Sequence, residues 1–231
     1  MLLMLRAPAP APAGLAVLLA AGLSACGGPP PLALSPAPVP IGYDADEVLD
    51  VVLLDPDHDH DIDLVAATTQ GLHYLTRDHG AWREATAGTA LEQAGVARAL
   101  RADGDDLLLE RPDGTRARLQ YSGIGSWHAG GEPPAALPDA SREAAADLDG
   151  DGRADRAELD DRVVRVLLAD AAGRLCDMTR EVGADTLSLR GKGHSLYAAD
   201  LDGDGHTDLL AVGGRIMALI SNGGRSPLQK P

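Results

Sequence analysis

Three stretches of the chain space their aspartates in a way that suits a hard cation. They are Asp55-Pro56-Asp57-His58-Asp59-His60-Asp61-Ile62-Asp63, Asp147-Leu148-Asp149-Gly150-Asp151-Gly152-Arg153-Ala154-Asp155 and Asp200-Leu201-Asp202-Gly203-Asp204-Gly205-His206-Thr207-Asp208. Each reads D-x-D-x-D-x-x-x-D. Calcium takes six to eight oxygens at about 2.3–2.6 Å and tolerates irregular geometry. Aspartates at positions one, three and five of a tight turn can point inward together. A carbonyl at position seven (Asp61, Arg153, His206) and the aspartate at position nine would complete the shell. Glycine at position six suits the sharp bend, because it reaches positive φ without a Cβ clash. About three calcium sites are therefore expected, with a solvated acidic turn as the alternative for each.

The first stretch is the odd one. His58 and His60 stand where the other two have glycine, which leaves zinc or another borderline metal on these histidines as a secondary reading. His206 is expected to ligate through its backbone only. An EF-hand is the rival for the same motif and needs a glutamate at position twelve. That position holds Ala66, Glu158 and Ala211, so only the Asp147 stretch keeps the alternative open. No Gly-x-Ser-x-Gly elbow occurs, and Gly191-Lys192-Gly193-His194 fits no phosphate loop. No set of residues reads as a nucleophile with its base, so the chain is expected to be no enzyme.

The elements that hold these turns recur with them. Asp55 to Asp147 is 92 residues, twice 46, and Asp147 to Asp200 is 53. Halfway through the first interval, Arg101-Ala102-Asp103-Gly104-Asp105-Asp106-Leu107 looks like the same turn shortened. Apolar segments follow each position nine (Leu64–Ala66, Leu209–Val212) and, after a short turn, come again (Leu72–Leu75, Val163–Leu168, Ile216–Ile220). Segments of four to eight residues bounded by Gly and Asp read as strands. A period near 46 with about four strands per unit is that of a propeller blade. The expected fold is all-β and propeller-like, with about four blade-like repeats starting near residues 44, 94, 140 and 193 and filling 44–231, as a small or incomplete propeller. The last unit looks one strand short. Either a segment near Ile41-Gly42-Tyr43 closes it, or the ring is incomplete.

The composition fits. The 231 residues include 35 Asp plus Glu against 20 Lys plus Arg, a formal net charge of −15. That excess disfavours nucleic acid as a partner. Of the acids 27 are Asp and 8 are Glu, a bias toward turns rather than helices. No Phe is present, so the core must be built from Leu, Val, Ala and Ile.

The pattern Asp-Leu-Asp-Gly-Asp-Gly-x-x-Asp-Leu, with Gly80-Ala-Trp-Arg-Glu-Ala-Thr86 in the first unit, resembles the FG-GAP/VCBS repeat of integrin-type β-propellers. The resemblance runs over about residues 44–224. It implies calcium in the aspartate turns and places each turn between the first and second strands of a blade. The second unit departs from it by lacking the turn. The third departs by carrying Arg156 and Ala157 where two leucines are expected.

The first forty residues read differently. They hold one charge, Arg6, and nine of the sixteen prolines. An apolar run from Ala13 to Ala25 has the length of a signal h-region and is too short to span a bilayer. It ends Leu23-Ser24-Ala25-Cys26, which resembles the lipobox of bacterial lipoproteins. The resemblance implies a signal peptide over 1–25, lipid on Cys26 and an exported, membrane-anchored protein. Residues 26–43 then read as a Pro/Gly-rich tether. With Cys26 acylated, Cys176 would be a lone thiol. The function expected is a non-catalytic, lipid-anchored, calcium-stabilised module that binds a protein or carbohydrate at the cell envelope. It would touch the membrane through its anchor alone. An accessory domain of an exported hydrolase and a periplasmic metal buffer are the alternatives.

Overall fold

A computed structural model describes residues 32–37, 48–78, 81–123, 126–186, 189, 195–213 and 216–222. The signal segment, Cys26 and Ile41-Gly42-Tyr43 lie outside them. Sixteen strands are described, in four antiparallel sheets of four, with a single four-residue helix. Blade one is β2 (Val48–Leu54), β3 (Asp63–Thr68), β4 (Leu72–Asp78) and β5 (Ala81–Glu84). The helix α1 (Ala90–Gln93) follows, capped by Thr89, whose hydroxyl accepts from the Leu91 amide. Blade two is β6 (Ala99–Asp103), β7 (Asp106–Glu110), β8 (Arg116–Tyr121) and β9 (Trp127–Ala129). Blade three is β10 (Glu143–Ala146), β11 (Asp155–Asp160), β12 (Val163–Ala169) and β13 (Leu175–Asp177). Blade four takes β14 (Ser195–Ala199), β15 (Asp208–Val212) and β16 (Ile216–Ser221) from the end of the chain. Its outer strand comes from the beginning: β1 (Leu34–Ala37). The fold is all-β and propeller-like.

Alternating apolar residues put each blade's faces against its neighbours. Val52, Val65, Tyr74, Leu100, Leu107 and Trp127 belong to a cluster shared by blades one and two, with Leu91 of α1 fully buried in it. Leu148, Val166, Leu196 and Leu219 are part of one shared by blades three and four. Val51, Leu64, Leu201 and Leu210 are part of one shared by blades four and one. Among the described residues no buried apolar cluster spans blades two and three. Two arginines of blade two bond instead to the segment that leads to blade three: Arg101 donates to the Pro138 carbonyl at 2.8 Å and Arg116 to the Ala135 carbonyl at 2.5 Å.

Two expectations change here. The tether read over residues 26–43 is not all spacer, because Leu34–Ala37 is a strand of the last blade. Leu32 and Leu34 are buried, 2% and 5% exposed. Asn222 clasps this strand, its amide donating to the Ala33 carbonyl and its side-chain oxygen accepting from the Ala33 amide. Leu34 in turn donates to Val182 of blade three at 2.9 Å. Pro36, facing Leu219, fits because an outermost strand has one edge on which a missing N–H costs nothing. The EF-hand alternative for the Asp147 stretch also falls, since β10 and β11 flank it. Cys176 lies in the core shared by blades three and four, 4% exposed.

Leu34 holds the closing strand in the core. Leu34→Ala should lower stability by about 2–5 kcal/mol, the range for a buried leucine, and Pro36→Ala by less than about 0.5 kcal/mol. Urea unfolding of the two variants beside the parent checks this. Equal midpoints for all three would show that the strand does not close the blade.

Candidate metal centre

Each aspartate turn joins the first and second strands of its blade: β2 to β3, β10 to β11 and β14 to β15. Blade two replaces the turn with a tight hairpin between Asp103 and Asp106, with Gly104 at φ 63. The three long turns share one hydrogen-bond plan. The position-seven amide donates to the position-five carboxylate: Asp61 to Asp59 at 2.8 Å, Arg153 to Asp151 at 2.9 Å, His206 to Asp204 at 2.9 Å. The position-five amide donates to position three: Asp59 to Asp57, Asp151 to Asp149, Asp204 to Asp202, at 3.1–3.4 Å. The position-one carboxylate accepts from the position-six amide: Asp55 from His60, Asp147 from Gly152, Asp200 from Gly205.

Position nine anchors each turn to its blade. Asp155 accepts from the amides of Leu148 (2.9 Å) and Ala169 (2.8 Å). Asp208 accepts from those of Leu201 and Ser221, both at 2.7 Å. Asp63 accepts from the Arg77 amide at 2.9 Å, the counterpart of Ala169 and Ser221. Its second donor cannot be the position-two amide, because Pro56 has no N–H. The Tyr74 hydroxyl takes that role at 2.5 Å. Tyr74 and Arg77 were not legible as turn residues. The one available signal was proline at a position where the other two turns have leucine.

Carboxylate oxygens converge in all three turns, within 4.8 Å of one another. The sets are Asp147, Asp149 and Asp155; Asp200, Asp202 and Asp208; Asp55, Asp57 and Asp59. Two oxygens on a calcium ion stand at most about 5 Å apart, so the sets fit such an ion in size and in donor type. The Asp55 Oδ1 atom is buried with no hydrogen-bond partner, an orphan acceptor that a cation would satisfy. The other expected ligands fall elsewhere. Asp151 is paired with the Arg153 side chain. Asp61 turns toward Arg77 at 3.5 Å. Asp204 stands outside its converging set, and Asp63 is engaged by Tyr74. His206 contributes no side-chain ligand, and its Nε2 is buried without a partner.

His58 and His60 join none of these sets. They adopt the glycine conformation of the other turns, with φ of 58° and 72° beside 75–84° at Gly150, Gly152, Gly203 and Gly205. His58 instead sits 3.1 Å from Asp105 of blade two. The two histidines are spent on backbone strain and a cross-blade contact, and the zinc reading gains no ligand set.

Burial acts on the carboxylates that the turns enclose. It pushes Asp63 and Asp208 each up to about 6, against the hydrogen bonds they accept. It also raises Asp155, Asp149 and Asp57 above the ordinary aspartate range.

Residues 147–211 match the family described as FG-GAP-like repeat. The matched stretch runs from the first aspartate of blade three into β15 of blade four, so the chain carries an FG-GAP-type repeat there. No curated protein matches the chain.

Two outcomes are expected. Tyr74→Phe leaves Asp63 short of a donor and should cost about 1–3 kcal/mol. Adding Pro56→Ala supplies the position-two amide that the other turns use, so the double variant should recover at least about 1 kcal/mol relative to additivity. A strictly additive cycle in urea unfolding would refute the substitution of hydroxyl for amide. The second concerns pH in calcium-free protein. Asp63 and Asp208 hold protons in the fold up to about 6, whereas unfolded aspartates release them near 3.8. The folded state therefore binds more protons between these values, and its stability falls as pH rises through that window. Melting in chelator should be higher at pH 5 than at pH 7, and a flat or opposite profile would contradict the buried-carboxylate account.

Proposed function

We propose that this chain is a calcium-stabilised propeller module that binds a protein or carbohydrate at the bacterial envelope and performs no chemistry on it. The observation that carries this reading is the threefold recurrence of one aspartate turn, with the same internal hydrogen bonds and converging carboxylates. Asp147, Asp149 and Asp155 would hold one ion, Asp200, Asp202 and Asp208 a second, and Asp55, Asp57 and Asp59 a third. Bound calcium would supply the positive charge that lets several carboxylates share one turn. The chain's own residues do the rest. Asp155 and Asp208 tie the turns to their blades, and the amides at positions five, six and seven fix the carboxylates in place. Rigid turns on a row of neighbouring sheets make a binding surface. The class of ligand follows by analogy with other propellers of this repeat type.

The lipid anchor is supported by the Leu23-Ser24-Ala25-Cys26 sequence. With Leu32 buried in the core of blades three and four, six residue steps separate Cys26 from the fold, a reach of at most about 20 Å. An anchored module would therefore stand close to its membrane. A thioether on Cys26 and a disulfide between Cys26 and Cys176 need the same sulfur, so only one of them can exist in a given molecule.

Calcium at one hundred times its dissociation constant stabilises a fold by about 2.7 kcal/mol per site, about 5–10 °C for a domain of this size. Chelation should lower the melting temperature by at least that much, and added calcium should restore it. Asp147→Asn and Asp200→Asn should each remove one site in a calorimetric titration. No calcium uptake and an unchanged melting temperature would end the calcium reading. For the anchor, mass spectrometry of membrane-extracted protein should find an acylated N-terminal Cys26. A soluble product with a Cys26–Cys176 disulfide would refute it.

A further inference from the structure

Arg77 is the one buried arginine among the described residues, 3% exposed. It belongs to β4 of blade one, yet its guanidinium reaches blade four. Nη1 donates to the Asp200 carbonyl at 2.5 Å, at the first position of that blade's aspartate turn. Nη2 lies 3.5 Å from the Asp61 carboxylate and 4.0 Å from that of Asp200. Gly203 of the same turn approaches so closely that a Cβ there would meet Nη2 at 2.6 Å. The guanidinium is therefore packed between two acidic turns, one from the first blade and one from the last.

The position is defined by strand register. Arg77 lies two residues beyond Leu75, the partner of Leu64 that follows position nine. Ser221 lies likewise beyond Leu219, the partner of Leu209, and Ala169 beyond Leu167, the partner of Arg156. Ser221 leans on the turn of the preceding blade, its hydroxyl 3.5 Å from the Leu148 carbonyl. The blade before Ala169 has no aspartate turn to meet. This register position is thus where a blade touches the turn of the blade before it. It carries a charge at the seam between the first blade and the last. A buried guanidinium is costly unless charges and hydrogen bonds compensate it, and here Nη1 and Nη2 are compensated from both sides of that seam while Nε is buried without a hydrogen-bond partner.

We propose that Arg77 is a fixed, protein-borne cation that locks blade one to the aspartate turn of blade four, so that this seam closes without metal. The lock draws together Asp61 and Asp200, which would otherwise repel across the junction. It does not depend on the calcium reading.

Hydrogen exchange of the full chain in chelator, followed by mass spectrometry, tests it. In Arg77→Met, peptides covering 55–61 and 200–206 should exchange at least tenfold faster than in the parent, and the peptide covering 147–153 should be unchanged. Asp61→Asn, a milder change at a partly exposed residue, should raise exchange in the same two peptides by a smaller factor. Unchanged exchange at 200–206, or an equal rise at 147–153, overturns the proposal. Where Arg77→Met does not fold, Asp61→Asn decides by the same comparison. Calcium then separates the two readings. Renewed protection at 200–206 on adding calcium supports metal in that turn. If calcium alters neither protein, the calcium reading fails while the lock stands on the difference seen in chelator.

Discussion

The buried carboxylate at the end of each aspartate turn is the constraint on which the blades depend. Asp63, Asp155 and Asp208 are nearly inaccessible, 2%, 1% and 0% exposed. A carboxylate taken out of water must be met by donors or a cation. Asp155 and Asp208 each receive one hydrogen bond from the end of the third strand and one from the start of their own turn, whereas Asp63 receives both of its bonds from the third strand, from the Arg77 amide and the Tyr74 hydroxyl. The pair of bonds fixes where the turn leaves the sheet. That in turn sets the direction of the carboxylates at positions one and three. Blade two shows the alternative: Asp106 bonds Arg118 and Gln120 on its own sheet, and the turn contracts to a hairpin.

The seams between blades are made of different materials. Blades one and two share an apolar cluster and add a 2.9 Å pair between buried Asp50 and half-buried Arg101, where Asp50 also receives the Leu100 amide. Blades four and one share an apolar cluster, a hydrogen bond from the Tyr197 hydroxyl to the Val51 carbonyl, and the Arg77 contacts. Blades three and four are joined through leucines and through β1, which touches both. Between blades two and three, arginine side chains reach to carbonyls of the connecting segment. Apolar area contributes roughly 25 cal/mol per Å² buried. A seam held by side chain to carbonyl bonds has far less of it.

Much of this was legible in the sequence. The nine-residue spacing located the three turns, and their placement between first and second strands followed from the repeat. The lost turn of blade two was visible as Asp103-Gly104-Asp105-Asp106. Thr86 and Thr179 occupy equivalent roles: each hydroxyl accepts a third-strand amide, from Tyr74 and Val166. The closing strand was not legible. Leu-Ser-Pro-Ala lies in a proline-rich run whose composition says spacer, and only its long-range partner Asn222 and the vacant edge of β16 make it a strand. The ligand geometry was only partly legible. Spacing proposes which aspartates are present, but the side chains of Arg153, Tyr74 and Arg77 decide which of them converge.

The union of both chain ends in blade four orders events in time. Ala33 and Asn222 bond across a separation of 189 positions. The outer strand of that sheet is therefore made well before its partner. Three blades can assemble from neighbouring hairpins while the polypeptide is still emerging, whereas the fourth must wait for the carboxyl-terminal strands. Non-local closure of this kind slows folding. Until it happens, Leu32 and Leu34 remain uncovered, and the nascent molecule carries an unsatisfied edge at each end.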